Sequence, residues 1–259
     1  MHTPPYLSPH QALAASHHRA PAAAVLPRVL IAGATGVLGN AVLRRLVGMQ
    51  RTSHAQVLAT LPIAQGMRHV SAHVVPADID HSQWPPAQAD IAIVMFDPPR
   101  MFYGRERALW TPAPEQLPQL CAWLKSCGVH TLAVVLPHAQ GTLPESLKRG
   151  LASMDEHALA VLGFTRLLIV RTPQKPVAVK HRRFLEKIAA WMLGIFSYMV
   201  PSSEQPVRAT KLAQFVDLVL QLLPAGTYIA APELVWQAAQ GDAAQMRRVV
   251  QSWLGTRQS

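Results

Sequence analysis

Val29-Leu-Ile-Ala-Gly33-Ala-Thr-Gly36-Val-Leu-Gly39-Asn-Ala-Val-Leu-Arg-Arg-Leu-Val47 is the stretch that decides the fold. Val29 to Ala32 is a short apolar run, as expected of a parallel strand covered on both faces. Gly33 permits a tight turn, Gly36 leaves no Cβ between the backbone and an approaching group, and Gly39 allows a helix to pack closely on the strand. Val37, Leu38, Val42, Leu43 and Leu46 then recur at helical spacing, with Arg44 and Arg45 assigned to the outer side. Strand, glycine turn and helix follow in the order that a dinucleotide pyrophosphate needs, because the helix N-terminus offers free N–H groups and the positive end of its dipole.

Working outward, strands and helices alternate, which is the pattern of a parallel sheet. Strands are expected at 55–60, 69–75, 90–96, 131–136, 165–170 and 228–229. Helices are expected at 116–126, 144–162, 182–199, 208–223 and 242–254. The fold expected is α/β, a doubly wound parallel sheet of Rossmann type with a small C-terminal helical portion. Residues 1–27, rich in Pro, Ala and His, read as a disordered leader or an over-long start. Residues 28–259 then form a single domain, with 174–259 as its substrate portion.

Composition narrows the function classes. The chain has 259 residues, half of them hydrophobic, which supports a substantial core. Net charge is +10, yet the cations are scattered Arg without a basic stripe interleaved with aromatics, so nucleic acid is not the expected partner. No apolar run reaches the 18 or so residues a spanning helix needs. Cys121 and Cys127, six residues apart on one predicted helix, fall on different faces, and neither belongs to a Cys-x-x-Cys pair. Structural zinc and a disulfide are therefore not expected, and a cytoplasmic setting is.

The spacing Gly33-x-x-Gly36-x-x-Gly39 resembles that of the extended and atypical short-chain dehydrogenase/reductases, among them proteins of the Tat-interacting-protein and nitrogen-metabolite-repression-regulator types. The resemblance runs loosely from about 28 to about 237 and is specific at the glycine turn. It implies a doubly wound fold and a nicotinamide dinucleotide held by Gly33, Thr35, Gly36, Val37, Leu38 and Gly39. Loops beyond the carboxyl ends of the strands add Asp78, Phe96, Arg100 and Arg171. Asp78 sits where relatives often hold the adenine, although Asp78 and Asp80 read equally well as loop-capping acids. Arg100, after Asp97-Pro98-Pro99, suits a cofactor phosphate or a substrate carboxylate. Arg171-Thr172-Pro173 is similar to the Arg-Pro turn near the nicotinamide, with Thr172 interposed. The second strand ends in Ala59-Thr60-Leu61-Pro62, with no acid for ribose hydroxyls. That favours NADP over NAD, and Arg68 is the nearest cation.

The family's Ser, Tyr and Lys are missing. The fifth strand runs into Leu136-Pro137-His138-Ala139-Gln140, and the Tyr-x-x-x-Lys segment reads Ser146-Leu147-Lys148-Arg149-Gly150-Leu151-Ala152. His138 and Tyr103 are the candidate replacements as proton donor; a capping or core histidine is the plainer reading of His138. The expected function is an NADP-preferring oxidoreductase-like protein acting on a small or lipophilic substrate. The alternative is a non-catalytic dinucleotide-binding regulator or assembly factor. The apolar stretch at 181–200, preceded by basic residues, is expected to pack on the sheet. Contact with a membrane surface, a lid over a lipophilic substrate and an oligomer face are the further readings.

Overall fold

In a computed structural model the described residues are 26–63, 68–76, 79–100, 103–138, 162–173 and 207–255. The expected helices at 144–162 (but for its last residue) and 182–199, Lys148, Asp78 and the 181–200 stretch lie outside them, as do residues 1–25 of the expected leader.

Among the described residues seven strands form one sheet in the order β3-β2-β1-β4-β5-β6-β7, every neighbouring pair parallel. They are β1 (Arg28–Ala32), β2 (His54–Ala59), β3 (Val70–Val74), β4 (Ile91–Met95), β5 (Thr131–His138), β6 (Arg166–Pro173) and β7 (Gly226–Ala230). The helices are α1 (Gly36–Gly48), α2 (Leu117–Ser126), α3 (Ala209–Leu222), α4 (Pro232–Gln240) and α5 (Ala243–Gly255). Chain order reverses between β1 and β4, so the crevice at the carboxyl ends of those strands is the topological switch point at which open α/β sheets take ligands. The sheet confirms the doubly wound α/β fold read from the sequence.

Both faces of the sheet are covered. Val29 and Ile31 of β1 point into a layer with α1, α3, α4 and α5, whereas Leu30 and Ala32 point into a layer with α2 and three tryptophans. This two-sided burial explains why β1 reads as a continuous apolar run. Element ends shift by one or two residues from expectation, and two differences are larger. Strand β6 continues through Pro173, so Arg171-Thr172-Pro173 is part of the strand and pairs with Leu136-Pro137-His138 of β5. Helix α4 was not expected, because nine residues between a strand and a glycine give little periodicity. Pro232 in its first turn, with Glu233 beside it, was the available signal.

Three further expectations need correction. Val37 does not join the helix's buried face: it is 62% exposed. Arg45 does not face solvent, since its Nε donates to the buried Asp217 of α3 at 2.9 Å. Cys127 follows the end of α2 instead of lying on it, so both thiols reach the same layer. Both are free, and burial pushes Cys121 up to about 12.

The α2-side layer holds an aromatic cluster with a titratable member. His81 is buried against Trp84, with ring centroids 4.2 Å apart, and meets Trp110 edge-on at 5.7 Å. Its Nε2 has no hydrogen-bond partner among the described residues. Burial holds its pKa below the ordinary 6.5, against the opposing pull of Asp80. As pH falls through the ordinary value the unfolded chain takes up this proton first, so the native state loses stability from there down to the lowered pKa. His81→Phe is therefore expected to show a smaller fall in thermal midpoint than wild type between about pH 7 and about pH 5.5. Equal falls would remove His81 as a source of the acid sensitivity.

Candidate functional site

The turn between β1 and α1 has the geometry its glycines imply. Gly33 and Gly36 adopt positive φ, 73° and 68°, values that L side chains rarely take. A Cβ on Gly39 would stand 2.5 Å from the Gly33 carbonyl oxygen, so the third glycine serves close packing of helix on strand. Thr35 is fully buried. Its hydroxyl donates to the Asp97 carbonyl and lies 3.0 Å from the Thr111 hydroxyl. Thr35 therefore spends its hydroxyl on the loop after β4 and makes no side-chain cap to α1, whose first turn also carries no acid.

The missing cap comes from a distant part of the chain. The Gly36 N–H donates to Glu106 Oε2 at 3.1 Å, and the Leu38 N–H donates to Asp97 Oδ2 at 3.2 Å. Two carboxylates thus meet the positive end of α1. Asp97 and Pro98 also fill the room beside Gly36, where an added Cβ would stand 2.7 Å from Asp97 Cβ and 3.2 Å from the Pro98 carbonyl oxygen.

Arg100 closes the arrangement. Its Nε donates to Glu106 Oε1 at 2.8 Å, its Nη2 donates to the same oxygen, and its backbone N–H donates to Oε2 at 2.9 Å. The guanidinium lies over the ring of the exposed Tyr103, 3.8 Å from its centroid. Arg100 thus pairs with a carboxylate of its own chain. Burial works to raise the Glu106 pKa, but the Arg100 side chain and the backbone N–H groups of Arg100 and Gly36 outweigh it and hold the carboxyl below its usual value. Asp97 goes the other way: burial pushes its pKa up, and the Leu38 N–H offsets only part of that.

Beyond Glu106 the chain runs across the carboxyl ends of β1 and β2. Thr60 N–H donates to the Ala108 carbonyl at 2.7 Å, Trp110 N–H to the Leu58 carbonyl at 2.9 Å, and Gly33 N–H to the Trp110 carbonyl at 3.1 Å. Ala59 and Leu109 form an antiparallel bridge. The Thr60-Leu61 segment, where a ribose-binding acid would stand, is therefore bonded to the chain's own backbone.

The remaining predicted residues are spread over the same edge of the sheet. Phe96 follows β4, half-buried against the α2-side layer. His138 and Arg171 lie at the carboxyl ends of β5 and β6, with Arg171 exposed. The adjacent Thr172 is buried, and its hydroxyl donates to the Leu136 carbonyl at 3.2 Å. Asp80 behaves as a loop-capping acid, accepting from the Ser82 N–H at 2.9 Å, and Arg68 is exposed. Glu106 and Asp97 are the residues that sequence reading missed as site groups. The signal available was an Arg-Glu pair six residues apart in a proline-stiffened loop after β4. Among the described residues no group of three or more His, Cys, Asp or Glu could hold a metal ion, and no helix is long and apolar enough to cross a membrane.

The donor set suits an anion: two backbone amides at a helix N-terminus already engage carboxylate oxygens. The room in front of them is taken by Asp97, Pro98 and Glu106. A pyrophosphate fits the donors but not the space as the loop stands.

Sheet order and glycine turn together define a Rossmann-type α/β protein. Among solved structures the chain is similar to a mutated uronate dehydrogenase, 12% identical, with 88% of this chain and 86% of that one covered at a TM-score of 0.50. A Rossmann-fold NAD(P)-binding family protein from Shigella flexneri is 17% identical, with 66% and 87% covered at a TM-score of 0.40. The triphenylmethane reductase of Citrobacter sp., complexed with NADP(H), is 14% identical, with 79% and 69% covered at a TM-score of 0.46. At 12% identity the likeness to the uronate dehydrogenase is one of fold. No protein-family model and no curated protein sequence matches the chain.

Proposed function

We propose that this protein binds a nicotinamide dinucleotide, with the pyrophosphate on the turn from Gly33 to Gly39. The observation that carries this reading is the pair of amides, Gly36 and Leu38, directed at anionic oxygens in the β1/β4 crevice. The carboxylates of Glu106 and Asp97 stand where phosphate oxygens would be received. NADP is preferred over NAD, because the loop after β2 presents Thr60 and Leu61 and no acid to bind ribose hydroxyls.

The chemistry proposed is oxidoreductase-like, on a small or lipophilic substrate. The bound dinucleotide would supply hydride transfer. His138 or Tyr103 would hold the proton in place of the absent Ser-Tyr-Lys set, and Arg171 would flank the substrate side. A second reading, a dinucleotide-binding regulator without turnover, is favoured by the absence of that set. The two separate on one assay: a substrate screen with NADPH, in which turnover sensitive to His138→Ala or Tyr103→Phe supports the enzyme.

Binding itself is tested by calorimetric titration with NADPH and NADH. Val37 is exposed on the first turn of α1, so Val37→Glu adds a carboxylate there without crowding the core. NADPH is expected to bind more tightly than NADH, and Val37→Glu to bind NADPH about tenfold more weakly than wild type. Failure of both nucleotides to saturate wild type and a variant lacking the Asp97 and Glu106 carboxylates rejects the reading.

A further inference from the structure

We infer that Asp97 and Glu106 form an internal anion that caps the glycine turn, so that a phosphate-bearing ligand enters the crevice only by displacing them. This rests on the proposed function and adds to it the identity of the groups that a ligand must replace.

Three observations converge. The first is the absence of a local cap. Thr35 donates its hydroxyl to the Asp97 carbonyl, and the first turn of α1 has no acid, so its amides are satisfied from residues 59 and 70 positions away. The N-cap residue, Thr35, is of a capping type, yet its hydroxyl is turned to the loop after β4, so capping falls to carboxylates of that loop.

The second is the burial of the capping charge. Glu106 is 4% exposed and satisfies the Gly36 amide, the Arg100 amide and the Arg100 guanidinium together. A carboxylate is rarely buried unless paired, and here the partner travels on the same loop. Arg100 and Glu106 can therefore leave the turn as a neutral unit. Their departure exposes no unpaired buried charge, which would otherwise oppose opening.

The third is that the loop is anchored at both ends and held to the turn through polar contacts between them. Met95 before it is buried in β4. Trp110 after it is 4% exposed, stacked edge-on against Trp84 at 4.9 Å and bonded through its backbone to Leu58 and Gly33. Between these anchors, Asp97 and Glu106 meet the turn through hydrogen bonds from Thr35, Gly36 and Leu38, and Asp97 and Pro98 pack beside Gly36. Each hydrogen bond from the two amides can be exchanged for one to a phosphate oxygen, so displacement trades like for like. The ligand affinity of the crevice is then the difference between two anions competing for the same donors.

The test uses the full chain and two probes, NADPH and inorganic pyrophosphate, titrated calorimetrically into wild type, Asp97→Ala/Glu106→Ala and the near-isosteric Asp97→Asn/Glu106→Gln. Hydrogen exchange at the Gly36 and Leu38 amides is read in parallel. The alanine pair is expected to bind both probes about tenfold or more tightly than wild type, with both amides exchanging faster in the free protein. The Asn/Gln pair keeps the volume and loses the charge, and should fall between. It also decides the matter if the alanine pair does not fold. Wild-type binding of NADPH that neither pair strengthens overturns the cap and leaves the nucleotide reading standing. Pyrophosphate binding strengthened in the variants without any NADPH binding supports the cap and removes the dinucleotide. No binding of either probe to a folded variant whose two amides exchange freely overturns both.

Discussion

Gly33→Ala is expected to cost the fold roughly 4 kcal/mol or more. An added Cβ would stand 2.0 Å from the Met95 carbonyl oxygen and 2.8 Å from its carbon. Those atoms belong to the backbone of β4, which is bonded to β1 on one side and β5 on the other, so they cannot step aside as a side-chain tip can. The residue also sits at φ 73°, a further strain for alanine. Gly48 supplies the control. It ends the same helix, no atom of the described residues lies within 4 Å of its virtual Cβ, and Gly48→Ala should gain about 0.5 kcal/mol through the unfolded chain. Urea unfolding of both variants measures the contrast. A Gly33→Ala protein within about 1 kcal/mol of wild type would show that β4 does not press on the turn as described.

The second large effect is expected at the tie between α1 and α3. Asp217 is 3% exposed and receives the Arg45 Nε at 2.9 Å and the Gln221 side-chain amide at 2.8 Å, with Arg51 at 3.9 Å. Arg45→Ala leaves that carboxylate buried without its main partner, and removal of one member of a buried pair is strongly destabilising. Arg51 and Gln221 remain, and Arg45 itself is 28% exposed, so the loss is expected at about 2 kcal/mol and the fall in thermal midpoint at about 5 °C. Asp217→Asn, which keeps an acceptor and removes the buried charge, should lose less than Arg45→Ala. The reverse order would mean that the attraction between the two groups exceeds the cost of burying the carboxylate.

These two sites differ in how far they were legible. The demand for glycine at 33, 36 and 39 was readable from spacing alone, because a turn between a parallel strand and its helix is a local geometry. The Asp217 tie was not: Arg45 reads as an outward residue of an amphipathic helix, and its partner lies 172 positions further on. Val37 erred in the opposite direction. Its apolar character counted toward the buried stripe, but the first turn of α1 faces the crevice and leaves it exposed.

The candidate site divides in the same way. Sequence placed the glycine turn, Phe96 and Arg100 beyond the carboxyl ends of the strands, because strand order and burial pattern assign loops to ends of the sheet. His138 and Arg171, read as loop residues, belong instead to the last residue pairs between β5 and β6. What Arg100 does there followed from tertiary structure: it faces Glu106, six residues on, across a loop with no repeating pattern. The occupation of the Gly36 and Leu38 amides by Glu106 and Asp97 was equally invisible, since capping rules look within one turn of a helix. By itself, then, the sequence determined a doubly wound parallel sheet with a glycine turn between its first strand and helix, because periodicity and glycine spacing act over a few residues. Only the tertiary structure decided which anion that turn holds, because the competing carboxylates come from a loop that close packing of β1 against β4 brings back over the crevice.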